Sequence, residues 1–252
     1  MKEINEIGQE LLNYCNKFKV PVEHIFEILN DQKVVPMIRG KATEYNVFNI
    51  LKNLLNSNEW SVDKLNLNPN PNTYDEDISI THKRTGTIVK AECKNAVRGS
   101  MKHSLKASIK EIHCTIKCHK SRSNTKKLDT GNDKYLVDDF DLIISNISNS
   151  IIKGASLDDN FELIDNKYDI IDKLSKHYNT SKDFQSLFDA TSNDWRFVVT
   201  EDIGKNGFIP RTPTLQLVND LSWKIIDYIE ESLFEIVKGK MQNRKQKSRR
   251  NN

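Results

Sequence analysis

The chain has 252 residues, of which 37% are hydrophobic and 29% charged, a composition typical of a large globular domain and not of a disordered chain. No apolar run reaches the ~18 residues of a membrane-spanning helix, and the amphipathic N-terminus lacks the apolar region of a signal peptide. Four cysteines in a chain this long form no disulfide-scaffold pattern, so we expect a protein of the reducing cytoplasm.

Charge is spread unevenly along the chain, although the net charge is only +3. Residues 81–127 carry 13 Lys and Arg against two acids, a net of +11, whereas residues 128–202 carry 7 against 16, a net of −9. Such asymmetry predicts a face that binds a polyanion on an otherwise acidic body.

An N-terminal helical layer is predicted over residues 1–57, where apolar residues recur at helical spacing. One helix ends near Phe18, a short one follows Pro21, and we expect both to act as packing support. A longer helix is predicted from Gly40 to Leu55. Glu44 lies in its first turn, where an acid favours the helix dipole.

The stretch from Asp77 to Lys94 follows an Asn- and Pro-rich loop and predicts two strands joined by a turn. Ile78 and Ile80 alternate with polar residues on the first strand. Thr85-Gly86 supplies the turn.

Chemically active side chains cluster on this predicted hairpin. Side chains two apart on a strand share a face, so Glu92 and Lys94 project together and Cys93 projects the other way. Asp77 opens the neighbouring strand and can meet them across the hairpin. Two carboxylates and an ammonium group at one sheet end suit Mg²⁺, which takes oxygen ligands and substrate phosphate. A solvated hairpin with a surface ion pair, worth little energetically, is the alternative.

The order of Asp77, a hairpin and Glu92-Cys93-Lys94 resembles the active site of the PD-(D/E)XK nuclease superfamily. The Pro-Asp pair is absent here, and Asp75 is the alternative to Asp77. The resemblance implies Mg²⁺ held by Asp77, Glu92 and the backbone carbonyl of Cys93, with Lys94 orienting the attacking water. It also allows Glu44 a supporting role at the metal, as an alternative to the dipole role.

A helix is predicted from about Gly99 to Lys117, and a basic ridge lies along it. The ridge residues follow one another at steps of four and therefore share a helix face; they are Arg98, Lys102, Lys106 and Lys110. We expect this ridge to contact DNA phosphates, the alternative being a solvated face. Asn95 either faces DNA or caps this helix.

Two cysteines, Cys114 and Cys118, share one face of this predicted helix. That spacing suits two Zn²⁺ ligands. Core packing is the expected role, because buried cysteine behaves as a small hydrophobe.

The C-terminal half begins with a polar loop, followed from Tyr135 to Ile147 by an apolar stretch that predicts a central strand buried on both faces. Phe140-Asp141-Leu-Ile-Ile and, later, Asp194-Trp195-Arg-Phe-Val-Val are similar to strands of several restriction endonucleases. Residues 157–190 are predicted to be acidic and helical. Arg211, in a turn-rich loop, either reads a guanine edge or is solvated.

The chain ends in a predicted amphipathic helix from Leu215 to Val237 and a basic tail, residues 239–252. We expect the tail to be disordered alone and to add non-specific attraction to phosphates.

Together these elements predict a single α/β domain over residues 1–238, with a restriction-endonuclease-like core at 74–200 and a central mixed sheet of four or five strands flanked by helices. The resemblance implies a type II restriction endonuclease that leaves 5′-phosphate and 3′-hydroxyl ends and is accompanied by a DNA methyltransferase. Cutting both strands needs two active sites, so we expect a homodimer on a palindrome. The alternatives are a repair nuclease or junction resolvase with the same core, and a non-catalytic basic nucleic-acid-binding protein.

Overall fold

The computed structural model describes residues 4–64, 77–97, 99–101, 112–119, 133–147, 150, 172, 176, 195–217 and 219–250. The helices of this described part are α1 (Ile4–Phe18), α2 (Ile25–Leu29), α3 (Val35–Leu54), α4 (Thr200–Ile203) and α5 (Ile229–Arg250). Its strands are β1 (Trp60–Asp63), β2 (Ile78–His82), β3 (Thr87–Asn95), β4 (His113–Thr115), β5 (Leu142–Asn146), β6 (Trp195–Val199), β7 (Thr214–Gln216) and β8 (Lys224–Ile225).

A six-stranded mixed sheet in the order β1-β2-β3-β5-β6-β8 forms the centre of the molecule. Its strands pair antiparallel except β3 and β5, which run parallel. A parallel pair needs a crossover connection, and this one leaves β3 after Asn95 and returns at Leu142. The α/β class with a central mixed sheet is therefore confirmed, with six strands instead of four or five.

The two faces of the sheet have different coverings. On one face, Ala91 and Cys93 of β3 belong to the same buried cluster as Leu51 of α3 and Leu233 of α5. On the other face, Ile143 and Val198 belong to a second cluster, together with residues from the small antiparallel β4–β7 ribbon. Glu92 and Lys94 alternate with Ala91 and Cys93, so they project toward the second cluster.

The predicted hairpin is confirmed. β2 pairs antiparallel with β3, with Ile78 opposite Ala91 and His82 opposite Thr87. Gly86 closes the turn at φ 63°, a conformation that glycine adopts without a Cβ penalty. Cys93 faces away from Glu92 and Lys94, as expected.

The prediction of a helix up to Lys117 is wrong at its C-terminal end. His113–Thr115 form a strand that pairs with β7, and Ala96 pairs with Ile116 in an isolated bridge. The buried residues of this segment alternate at period two, the signature of a strand; they are Ile112, Cys114, Ile116 and Cys118. Residues 102–111 lie outside the described residues.

The prediction of one helix from Leu215 to Val237 is also wrong in its first half. The carboxylate of Asp220 accepts hydrogen bonds from the backbone N–H groups of Gln216, Ser222 and Trp223, and Asn219 has φ 55°. This turn ends β7 and leads to β8. Helix α5 begins only at Ile229.

Helix α5 continues through the basic tail as far as Arg250. Lys240 anchors the helix by donating hydrogen bonds to the backbone oxygen of Ile88 and to Asp141. Lys240 is therefore part of the fold, and Met241 packs against the core beside it.

Other expectations have mixed outcomes. The strand predicted from Tyr135 to Ile147 is confirmed only as β5, since Val137–Asp139 form a 3-10 helix. The strand opened by Trp195 is confirmed as β6, whereas β1 has no counterpart among the predicted elements. The predicted acidic helical region, 157–190, lies outside the described residues apart from Asp172 and Lys176. In the described part of the chain, none of the helices combines the length and apolar character needed to cross a membrane.

Candidate active site

Asp77 and Glu92 are brought together by the pairing of β2 with β3. Ile78 lies opposite Ala91, so one step further along the same register places Asp77 opposite Glu92. The backbone N–H of Cys93 donates a hydrogen bond of 2.8 Å to the Asp77 carboxylate. Both carboxylates are buried, with 8% and 5% of the residue surface exposed.

Lys94 is the third residue of the site and lies on the same face of β3 as Glu92. Its ammonium group contacts Oε1 of Glu92 directly. Burial alone would lower the pKa of Lys94, but the negative charge of Glu92, with Tyr135 and Asp77, more than offsets it, and the pKa is raised. Lys94 is therefore a permanent cation suited to stabilising negative charge and not a general base.

Tyr135 is a site residue that the sequence did not predict. Its hydroxyl lies 3.5 Å from Oε1 of Glu92, and the Lys94 ammonium lies 5.3 Å from its ring centroid. The residue is buried, and its carbonyl accepts a 2.9 Å hydrogen bond from the N–H of Ile209. In the sequence it marks only the start of an apolar stretch.

Glu44 affects the site through its charge, but it does not lie in the position expected for it. Helix α3 begins at Val35, so Glu44 lies in its third turn and the interpretation as a first-turn acid is wrong. Its buried carboxylate is bound by Lys41, at 2.8 Å from both oxygens, and by Lys64. Its charge contributes to the raised pKa of Asp77.

The electrostatics of the site are dominated by crowded carboxylates. Burial, together with repulsion from Glu92 and Glu44 and against the opposing charge of Lys94, raises the pKa of Asp77 to about 8. Burial and the same carboxylates raise the pKa of the Cys93 thiol. This environment favours the binding of a cation beside Asp77.

The donors for a metal at this point would be Asp77, Glu92 and the backbone carbonyl of Cys93. Among the residues that the structure describes, no three His, Cys, Asp or Glu side chains are grouped closely enough to hold a metal by themselves. Mg²⁺ commonly takes one or two carboxylates and completes its shell with water and phosphate, so two carboxylates in a carboxylate-rich, buried site fit this ion.

Of the residues predicted to contact DNA, the structure describes only Asn95 and Arg211, and both have partners outside this site. Asn95 projects to the opposite face of β3, where its amide oxygen accepts a 2.7 Å hydrogen bond from Thr43 of α3. Arg211 has an acid partner, Asp133, at 2.7 Å. The basic ridge lies outside the described residues; it comprises Arg98, Lys102, Lys106 and Lys110. Asp75 lies outside them too.

Cys114 and Cys118 do not share a helix face, because the chain is extended around them. Both are buried in the cluster beneath the β4–β7 ribbon, and burial raises the pKa of each thiol to about 12. A thiol must lose its proton to bind Zn²⁺, and this environment opposes that loss.

Comparison of the chain with protein-family models, with curated proteins and with solved structures gives no match.

Proposed function

We propose that the chain is a Mg²⁺-dependent DNA endonuclease with a PD-(D/E)XK-type active site, and specifically a type II restriction endonuclease. The observation that carries this proposal is the convergence of Asp77, Glu92 and Lys94 at one end of the β2–β3 pair. The mixed sheet flanked by helices agrees with a restriction-endonuclease-like core. A hairpin with only a structural role would gain no stability from two buried carboxylates that repel each other.

The metal-binding residues in this proposal are Asp77, Glu92 and the carbonyl of Cys93. A bound Mg²⁺ supplies Lewis-acid polarisation of the scissile phosphate and an activated water. The hydrogen bond from Cys93 N–H holds the Asp77 carboxylate toward Glu92. Glu44, tied to Lys41 and Lys64, adds negative potential from outside this donor set.

Lys94 has the electrostatic role in the proposed mechanism. It contacts Glu92 in the structure, and its charge is fixed at neutral pH. Beside a bound phosphate, the same ammonium group orients the attacking water and stabilises the charge that develops on the phosphoryl oxygens. In-line attack then leaves a 5′-phosphate and a 3′-hydroxyl.

DNA is the proposed substrate because Glu92 and Lys94 lie in the basic segment 81–127 and Asp77 lies just before it. Contacts from such a segment to phosphates position a duplex without reading its sequence. Cutting both strands requires two active sites, so the proposal includes a homodimer on a palindromic site and a methyltransferase that protects the host DNA.

The experiment is digestion of phage and plasmid DNA by the purified chain, in Mg²⁺ and in EDTA. Lys94→Ala should slow cleavage by about 100-fold or more. The matched control is Lys52→Ala, which removes an exposed lysine of helix α3, outside both the site and the basic segment.

Three outcomes discriminate between the candidate functions. Discrete Mg²⁺-dependent bands that disappear with Lys94→Ala support restriction. Cleavage confined to junctions or damaged DNA keeps the active site and indicates repair. DNA binding without cleavage in any divalent metal overturns the enzyme proposal and leaves a binding protein.

A further inference from the structure

The N-terminal helices expose an unusual amount of apolar surface. Of the 19 large hydrophobic residues that are exposed in the described part of the chain, 13 lie between Ile4 and Tyr45. Soluble monomers rarely concentrate exposed apolar side chains in this way, and such patches mark interaction sites. The expectation that this layer serves only as packing support does not account for them.

Helix α1 presents the regular part of this surface. Five of its six exposed apolar residues follow one another at alternating steps of three and four, the spacing of a coiled-coil seam. These five are Ile4 (87% exposed), Ile7 (53%), Leu11 (38%), Tyr14 (53%) and Phe18 (57%), and the sixth, Leu12 (42%), lies beside the seam. A seam with this spacing fits another helix better than it fits a flat or irregular surface.

The body of the protein gives α1 little support. Cys15 is its only buried residue, and a 15-residue helix is marginal in water without tertiary packing. Gly8 weakens it further, because glycine inside a helix costs roughly 1 kcal/mol relative to alanine. Covering the seam would stabilise α1.

The charged residues beside the seam indicate which helix packs on it. Glu10 and Lys17 flank it on the same side, seven residues apart. If a second α1 lies antiparallel, with Leu11 packed on Tyr14 of the second copy, Glu10 of each helix meets Lys17 of the other. In a parallel pair, residues on one side of the seam face residues on the other side of the second helix's seam. Glu10 would then face Cys15 of the second copy instead of Lys17.

We propose that α1 packs antiparallel against α1 of a second copy of this chain, in a two-fold symmetric interface. Ile7 packs on Phe18 of the second copy in the same register. Such an isologous contact uses one surface twice and closes the assembly at two chains. The inference is independent of the chemistry at Asp77, and the proposed endonuclease would use the dimer to cut both strands.

The test is the mass of the full chain in solution, without DNA, measured by light scattering and sedimentation equilibrium. Wild type should have twice the mass of the chain. Ile7→Glu combined with Phe18→Glu should give the monomer mass, with unchanged cooperative unfolding. The matched control, Leu221→Glu, places the same charge on a side chain that is 98% exposed elsewhere and should remain dimeric.

A charge exchange tests the orientation. Glu10→Lys should weaken association by about 10-fold or more, since the introduced ammonium group would then meet Lys17 of the second copy. Adding Lys17→Glu to the same chain should restore association. A monomeric wild type, or a dimer that neither the seam variant nor the charge variants weaken, overturns the inference. Because mass does not depend on cleavage, failure of the nuclease proposal leaves this result unaffected.

Discussion

Asp77 shows how a residue of the candidate active site conflicts with the stability of its own fold. Its carboxylate is buried beside Glu92 and within the field of Glu44, and burial with this repulsion raises its pKa to about 8. Its ordinary value is 3.8, so the folded chain binds this proton more tightly than the unfolded chain between those two pH values. The stability contributed at this residue therefore falls as the pH rises from about 4 to about 8.

Asp77→Asn should therefore stabilise the chain in EDTA. The amide keeps an oxygen that can accept the hydrogen bond from Cys93 and removes the charge. One pKa unit corresponds to about 1.4 kcal/mol. The gain in the free energy of unfolding should therefore reach roughly a few kcal/mol near pH 8 and vanish near pH 4. Urea unfolding of both proteins at several pH values measures it.

The control for this prediction is Asp138→Asn, which removes an exposed carboxylate and should change stability little at any pH. A variant at Asp77 that is less stable than wild type, or whose gain does not grow between pH 5 and pH 8, would contradict the electrostatic account of the site.

Tyr135 is the second residue whose role can be tested alone. Tyr135→Phe keeps the ring beside the Lys94 ammonium and removes the hydroxyl near Glu92. A neutral hydrogen bond contributes about 0.5–1.5 kcal/mol and one to a charged group somewhat more, so kcat should fall about 3- to 10-fold with little change in KM. Steady-state cleavage rates measure both constants.

Rates for Tyr228→Phe provide the comparison for Tyr135→Phe, because Tyr228 is 57% exposed and should tolerate the change. If Tyr135→Phe matched wild type in kcat, the hydroxyl would have no part in positioning Glu92.

Sequence reasoning could predict only those residues of the candidate site that lie on the hairpin. Glu92 and Lys94 are two apart on a strand, so their common face follows from the backbone alone. Tyr135 and Lys64 are distant in the sequence from the residues they contact, and no periodicity links them to the hairpin. The role of Glu44 depends on where α3 begins, and helix boundaries are hard to locate from sequence.

At the scale of elements, the ambiguity between helix and strand explains the main errors. The segment Ile112–Cys118 has apolar residues two apart and four apart, which fits both periods, and its neighbours suggest a helix. The segment forms a strand because it pairs with β7. The prediction of the final helix is wrong for a similar reason, because the turn centred on Asp220 lies between apolar residues that also suit a helix.

Helix α5 provides a prediction about the basic C-terminal segment. The Lys240 ammonium donates to the backbone oxygen of Ile88 at 2.8 Å and to Asp141 at 2.6 Å, and it is only partly exposed. Lys240→Ala should lower the free energy of unfolding by about 1 kcal/mol. Chemical denaturation measures the change.

Lys238→Ala is the matched change for Lys240→Ala, since Lys238 lies on the same helix and is exposed. It should leave stability within about 0.5 kcal/mol of wild type. Equal effects of the two substitutions would show that α5 is not anchored through Lys240.

At the scale of the whole molecule, the sheet separates the packed helices from the candidate active site. One face of β3 packs against α3 and α5, and the other carries Glu92 and Lys94. The sequence predicted this division because apolar and charged residues alternate along β3. It could not predict six strands, since β1 and β8 have only four and two residues and depend on their neighbours for pairing.

The most direct test of the central claim is the rate of DNA cleavage as a function of Mg²⁺ concentration, compared for wild type, Glu92→Gln and Glu201→Gln. Wild type and Glu201→Gln, which changes an exposed acid on α4, should show the same saturable dependence on Mg²⁺. Glu92→Gln should be slower by about 100-fold or more. Wild-type rates for Glu92→Gln, or no Mg²⁺-dependent cleavage by wild type, would contradict the assignment of Asp77, Glu92 and Lys94 as a nuclease site.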